Sequence, residues 1–96
     1  MSAITRLTGT LVSSNVGTGA TATTVTANPS RNFLQIQNTH ASQNLAFTLE
    51  GSTPVVNGTG ITLGPLGVAT YDTFVPTGLV TVIGSGAATT YSIYWA

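Results

Sequence analysis

The stretch "NFLQIQNTHASQNLAFTLEG", residues 32–51, decides the fold class, because its apolar residues recur at every second position. In its first part Leu34 and Ile36 fall on one face, and Gln35 and Gln37 on the other, as in a half-buried β-strand. The middle part, "NTHASQN", consists mainly of turn-forming residues. We therefore predict a strand that ends in a hairpin loop, with His40 in the loop.

The last part of the stretch, "NLAFTLEG", repeats the alternation. It predicts a second strand with Leu45, Phe47 and Leu49 facing inward and with Ala46 and Thr48 facing outward. Two such segments joined by a polar loop favour antiparallel pairing.

Further short segments are rich in Thr, Val, Ile and Tyr, as expected of β-strands, and they are separated by Gly or Pro. Asn57-Gly58 lies between apolar residues and favours a type I′ hairpin turn. The spacing predicts an all-β domain, a β-sandwich or jelly roll of about seven or eight short antiparallel strands. The segments are "TATTVT" (21–26), "GITL" (60–63), "GVATYDTF" (67–74), "GLVTVIG" (78–84) and "TTYSIYWA" (89–96).

Residues 1–20 have scattered aliphatic side chains among Gly, Ser and Thr. We interpret them as an extended N-terminal arm that precedes a sandwich domain of residues 21–96; an ordinary first strand followed by a linker is the alternative. An arm of this length can reach a neighbouring subunit, at roughly 3.3 Å per residue. Its apolar residues are candidate partner-binding positions: Ile4, Leu7, Leu11, Val12 and Val16.

Charge is nearly absent from the chain. Only 4% of the 96 residues are charged, and Arg6, Arg31, Glu50 and Asp72 sum to zero, against about 25% charged residues in an average soluble protein. With two separated arginines and no lysine, the chain lacks the basic patch that nucleic-acid binding requires. The sequence contains no apolar run of 18 residues, so no membrane-spanning helix is predicted. So little charge protects poorly against association, which favours permanent assembly with a partner.

The sequence offers little for catalysis. No G-x-S-x-G motif marks a nucleophilic serine, and His40 is surrounded by loop residues. Glu50 and Asp72 are predicted on outward or strand-end positions, where pairing with Arg31 or hydration is expected rather than glycosidase chemistry. With one His, no Cys and two scattered carboxylates, no metal-ligand spacing occurs. We therefore predict no enzyme activity, no cofactor and no metal site.

The C-terminal segment is aromatic. Tyr91, Ile93 and Trp95 share one face of the predicted last strand, and Tyr94 lies on the other. Aromatic side chains here can fill the core, form a subunit contact or stack on sugars. Tyr94 and Trp95 are therefore further candidate partner-binding residues.

Taken in order, the motifs "RNFLQIQN", "LAFTLEG", "GITLGP", "FVPTGLVTVIG" and "TTYSIYWA" resemble small virion proteins of tailed bacteriophages, over about residues 30–94. The sequence departs from that family at "GPLG" (64–67), where a Pro-Gly-Gly turn is common, and at its non-acidic C-terminal end. The matching positions are Arg31, Leu34, Ile36 and Asn38, then Gly60, Ile61, Leu63 and Pro65, then Val75, Pro76, Thr77 and Gly78.

The resemblance implies a compact β-sandwich and a structural function. It implies a capsid decoration (cement) protein, made in the cytoplasm of a bacterial host and bound to the outer capsid surface of the virion. There it would bridge subunits of the major capsid protein, as a homo-oligomer and specifically a trimer. The alternative is a tail-tip or fibre module that uses exposed aromatic side chains to bind host glycans.

Overall fold

The computed structural model describes residues 9–17 and 22–96. Its secondary structure is entirely β within these ranges, with eight strands. No helix in the described part of the chain is long and apolar enough to cross a membrane. The strands are β1 Thr10–Val16, β2 Ala22–Val25, β3 Leu34–Asn38, β4 Leu45–Thr48, β5 Ile61–Leu63, β6 Val68–Tyr71, β7 Val80–Gly84 and β8 Thr89–Trp95.

The strands form two four-stranded sheets, ordered β1-β8-β3-β6 and β2-β7-β4-β5. Every neighbouring pair is antiparallel. The prediction of an all-β domain of seven or eight antiparallel strands is confirmed.

The core lies between the two sheets, which gives a sandwich-like architecture. Each sheet supplies inward residues to one apolar cluster, and Leu34, Ile36 and Ile93 of the first sheet are fully buried. Gln35 and Gln37, on the other face of β3, are half-buried. The alternation predicted for β3 is therefore confirmed. The second sheet contributes Val25, Leu45, Phe47, Val80 and Val82.

The outer face of β4 differs from the prediction. Leu45 and Phe47 point inward and are fully buried, but Ala46 and Thr48 on the outer face are buried too, at 0% and 4% exposed. The cause is the connection from β4 to β5, residues 49–60, which returns over the outer face of the second sheet. The carbonyl of Ser52 in this connection accepts hydrogen bonds from Thr48 of β4 and from Thr81 of β7.

A turn is present near Asn57-Gly58, but its central residues are Val56 and Asn57, and it does not join two paired strands of the sheets. Gly58 N–H donates to the carbonyl of Val55 at 2.9 Å, and Asn57 has φ +58°. Only one of the two central residues has positive φ, whereas a type I′ turn needs both. Pro54 offers no N–H for a ladder before this turn, and β5 pairs with β4 instead. The prediction of a two-residue hairpin here is wrong.

The segment predicted as an arm includes β1. Thr10–Val16 pairs with β8 in seven consecutive residue pairs, from Thr10 opposite Trp95 to Val16 opposite Thr89. For these seven residues the alternative interpretation, an ordinary first strand, describes the structure. Ile4 and Leu7 lie outside the described residues.

Candidate interaction surface

The outer face of the first sheet carries hydroxyl, amide, aliphatic and aromatic side chains and no charge. Strand register places its side chains in rows, because residues opposite one another in a ladder share a face. Two hydrogen bonds tie adjacent strands together here, from Ser13 Oγ to Ser92 Oγ at 3.2 Å and from Gln35 Nε2 to Thr70 Oγ1 at 3.3 Å. We call this surface the neutral face: Leu11, Ser13, Asn15, Gln35, Gln37, Val68, Thr70, Thr90, Ser92 and Tyr94.

One corner of the neutral face is apolar. Leu11 is 64% exposed and lies opposite Tyr94 in the β1–β8 ladder. The Tyr94 ring packs edge-on against Phe33, with ring centroids 5.9 Å apart. Gly9 passes directly beneath Tyr94, where a Cβ atom would lie 2.6 Å from the ring. Two predicted partner-binding residues, Leu11 and Tyr94, are thus brought together at the surface.

The other three predicted residues in the described part of the chain point inward. Val12 and Trp95 are half-buried against the core and Val16 is buried. Their inward direction follows from register, since Val12 lies opposite Ile93. They pack beneath β1 and β8, whereas Leu11 and Tyr94 lie on the outer face of the sheet.

Trp95 also contacts the buried Arg31. The guanidinium carbon lies 5.8 Å from the centroid of the indole ring, within the range of a cation–π interaction. Arg31 is only 3% exposed, and burial lowers the pKa of its guanidinium. Part of the surface of the Trp95 ring is therefore already in contact with Arg31 within the fold.

The guanidinium of Arg31 binds carbonyls and no carboxylate. It donates to Pro76 O and Thr26 O at 2.8 Å and to Gly78 O at 3.2 Å. Asn28 N–H adds a bond to Thr77 O at 2.8 Å. These contacts join the β2–β3 connection to the β6–β7 connection, so Arg31 is a structural anchor of this end of the sandwich.

A groove of about 600 Å³ opens beside the same connections. Phe74 lines it and is 91% exposed, while Tyr71 on its floor is half-buried, and burial raises the pKa of the Tyr71 hydroxyl. Phe74 was not among the predicted partner-binding residues. Phe74 belongs to the segment predicted as a strand, residues 67–74, but β6 ends at Tyr71, so Phe74 lies in the β6–β7 connection. The available signal was the Asp72-Thr73 pair before it, because these residues favour turns.

His40 lies in the loop between β3 and β4, as the sequence predicts, and its ring has a structural role there. Its Nδ1 accepts hydrogen bonds from the backbone N–H groups of Ser42 and Gln43, both at 3.1 Å. The side chain of Asn38, fully buried, accepts from His40 N–H and donates to carbonyls of Gln43 and Gly64. The Ser42 hydroxyl lies 3.4 Å from Nδ1, but that nitrogen is already occupied by backbone donors. This arrangement fixes a turn and does not prepare a nucleophile.

The two carboxylates bind neighbours in their own connections. Glu50 accepts hydrogen bonds from the hydroxyl and N–H of Ser52, and the hydroxyl bond is the main cause that lowers the pKa of Glu50. Asp72 accepts from the Thr73 hydroxyl at 3.3 Å. Within residues 9–17 and 22–96, no group of three or more His, Cys, Asp and Glu residues is arranged to hold a metal ion.

Comparison of the chain with protein-family models, with curated proteins and with solved structures gives no match.

Proposed function

We propose that this chain is a structural virion protein of a tailed bacteriophage, a capsid decoration (cement) protein. In this proposal it binds the outer surface of the head and bridges subunits of the major capsid protein. The observation that carries the proposal is the neutral face, an uncharged surface with Leu11 64% exposed at its corner. Apolar and neutral hydrogen-bonding surface of this kind is suited to a permanent contact.

The strand order supports a jelly roll as the finer description of the fold. Consecutive strands alternate between the sheets, except for β4 and β5, which are paired in the second sheet. The last strand, β8, returns beside β1. This order corresponds to two interlocked Greek keys of eight strands, an architecture that occurs in viral capsid proteins and in lectins. The fold alone does not select between these functions, so the proposal depends on the surface.

The binding mechanism follows from the chemistry of the neutral face. Its hydroxyl and amide groups, such as those of Ser92 and Gln37, can exchange hydrogen bonds with a partner, and Leu11 and Tyr94 contribute apolar area. Salt screens interactions between charges and has little effect on neutral contacts. Attachment to heads is therefore expected to resist salt.

The placement of the C-terminal aromatic residues favours this proposal over glycan binding. Tyr91 is 4% exposed, Trp95 lies beside the Arg31 guanidinium, and Tyr94 packs against Phe33. These residues do not form the open row of rings on which sugars stack. Tyr71 and Phe74 in the groove are the remaining aromatic pair for such a function.

The experiment is quantitative analysis of purified virions. We expect hundreds of copies per particle, measured against the major capsid protein, and retention of the chain on heads washed in increasing NaCl. About a dozen copies or fewer would place the protein on the tail. Quantitative release by moderate salt would contradict the neutral-contact mechanism.

A further inference from the structure

The four edge strands of the two sheets differ in how they are protected from pairing with another chain. Edge strands expose unpaired N–H and C=O groups, and proteins usually protect them by shortness, bulges, charge or proline. Of the edges in the described chain, β5 has three residues, β6 has four, and β2 has four with a register shift between Thr23 and Val25. These three edges are poor templates.

The fourth edge, β1, has none of these protections. It has seven residues, "TLVSSNV", with no charge, proline or glycine, and its register with β8 is regular throughout. No other described strand pairs with its second edge. β1 therefore offers a long, open row of backbone hydrogen-bonding groups.

The sequence of β1 is suited to pairing with itself. Around Ser14, the segment "VSSNV" (residues 12–16) has the same order of apolar and polar residues in both directions. Antiparallel pairing about a twofold axis at Ser14 would place Val12 opposite Val16 of the second copy on the inner face. It would place Ser13 opposite Asn15 on the outer face. Each contact joins side chains of like polarity, and none joins like charges.

A cleft beside β1 adds apolar area to the same interface. The cleft has a volume of about 300 Å³ and lies between β1 and β2, with Val12, Val25 and Trp95 among the residues that line it. A second copy paired with β1 lies over the open side of this cleft and covers apolar surface as well as backbone.

We infer that the chain forms a twofold homodimer through antiparallel pairing of β1 with β1 of a second copy, about an axis at Ser14. The two first sheets then join into one continuous sheet, and their neutral faces lie on the same side. This interface is independent of the proposed function on the virion. Its twofold symmetry differs from the trimer that the family resemblance implies.

The first experiment uses the absence of cysteine from the chain. The variants Ser14→Cys on β1 and Thr70→Cys, on the exposed edge strand β6 of the same sheet, each carry a single thiol. We expect mild oxidation to link Ser14→Cys into a covalent dimer and to leave Thr70→Cys monomeric on a non-reducing gel. Equal cross-linking of the two variants would overturn the inference.

The second experiment tests the register through charge. Ser13→Lys/Asn15→Lys places lysine opposite lysine twice, whereas the control Ser13→Lys/Asn15→Glu places lysine opposite glutamate twice. We expect light scattering to give twice the 9.7 kDa chain mass for the wild type and for the control, and an association constant at least about tenfold lower for the double lysine variant.

A monomeric or trimeric wild type, or the same behaviour of both double variants, would overturn the inference. Circular dichroism establishes that each variant is folded. If the double lysine variant does not fold, the cross-linking comparison alone decides.

Discussion

The outer faces of the two sheets differ in whether the chain itself covers them. On the second sheet, the β4–β5 connection covers the surface, so that Thr48 and Thr81 are each 4% exposed. On the first sheet, outer-face residues such as Ser13 and Val68 stay exposed in the described chain. The β4–β5 connection, called the seal below, thus covers the outer face of the second sheet, whereas the outer face of the first sheet is left exposed in the described chain. The exposed face is the one that the proposed function assigns to a partner.

The sealed face depends on a small polar cluster. The hydroxyl oxygens of Thr48 and Thr81 are 2.6 Å apart, and both lie within hydrogen-bond distance of Ser52 O. The two hydroxyl groups have only two hydrogen atoms for these three contacts, so the three oxygen atoms share two hydrogen bonds. Pro54, which follows in the same connection, is fully buried. The seal is therefore part of the folded core and not a loosely attached loop.

The largest expected effect on the free energy of unfolding comes from placing a charge beneath the seal, the β4–β5 connection. Thr81→Arg puts an unpaired guanidinium where the threonine is 4% exposed, and we expect the free energy of unfolding to fall by about 3–5 kcal/mol. Ser92→Arg at the outer face of the first sheet is the matched control, with an expected change of about 0.5 kcal/mol or less. Urea unfolding of both variants measures the difference. Similar losses in the two variants would mean that the faces are not distinct.

A smaller effect is expected from removing the hydroxyls of the seal one at a time. Thr48→Val and Thr81→Val should each cost about 1–2 kcal/mol, because each leaves the Ser52 carbonyl with one fewer donor. The double variant should cost less than the sum of the two, since the hydroxyls share their hydrogen bonds. Additive costs in a double-mutant cycle would show that the cluster does not act as a unit.

The smallest effect is a pH dependence of the seal through Glu50. Hydrogen bonds from Ser52 lower the pKa of Glu50 in the folded state, so the ionised carboxylate favours folding. This stability is fully present above the unfolded pKa, about 4.3 for Glu, and is lost as the pH falls through the lower folded pKa. Urea titrations across this range should show a slightly shallower acid loss for Glu50→Gln. A steeper acid loss in Glu50→Gln would contradict the assignment.

The sequence predicted the strands well because alternation is a local property. Leu34 and Ile36 were placed inward from spacing alone, and both are fully buried. His40 is likewise predicted in a loop from the turn-forming residues around it, and it lies in the β3–β4 connection.

The order of the strands and the seal were not predictable in this way. Pairing brings Val12 beside Ile93 and Thr48 beside Thr81, and no local pattern encodes contacts between such distant positions. The exposure of Ala46 was predicted wrongly for the same reason, because alternation gives the face of a residue but not what covers that face. Glu50 and Asp72 were expected to pair with Arg31 or to face water. The guanidinium of Arg31 instead binds three carbonyls, which only the folded loops bring together.

The candidate interaction surface was predicted in part. Leu11 and Tyr94 were predicted as partner-binding residues, and the β1–β8 ladder places them opposite one another at one corner of the neutral face. Phe74 and the open edge of β1 were not selected. Both depend on which segments pair with one another, which the sequence alone does not specify.

The most direct test of the central claim is thiol accessibility on assembled heads. The variants Ser92→Cys, on the neutral face, and Thr53→Cys, on the exposed side of the β4–β5 connection, provide one thiol on each side of the sandwich. We predict that binding to heads slows alkylation of Ser92→Cys strongly and leaves the rate for Thr53→Cys unchanged. Protection of Thr53→Cys with free reaction of Ser92→Cys would show that the sealed face binds the capsid, and would contradict the account.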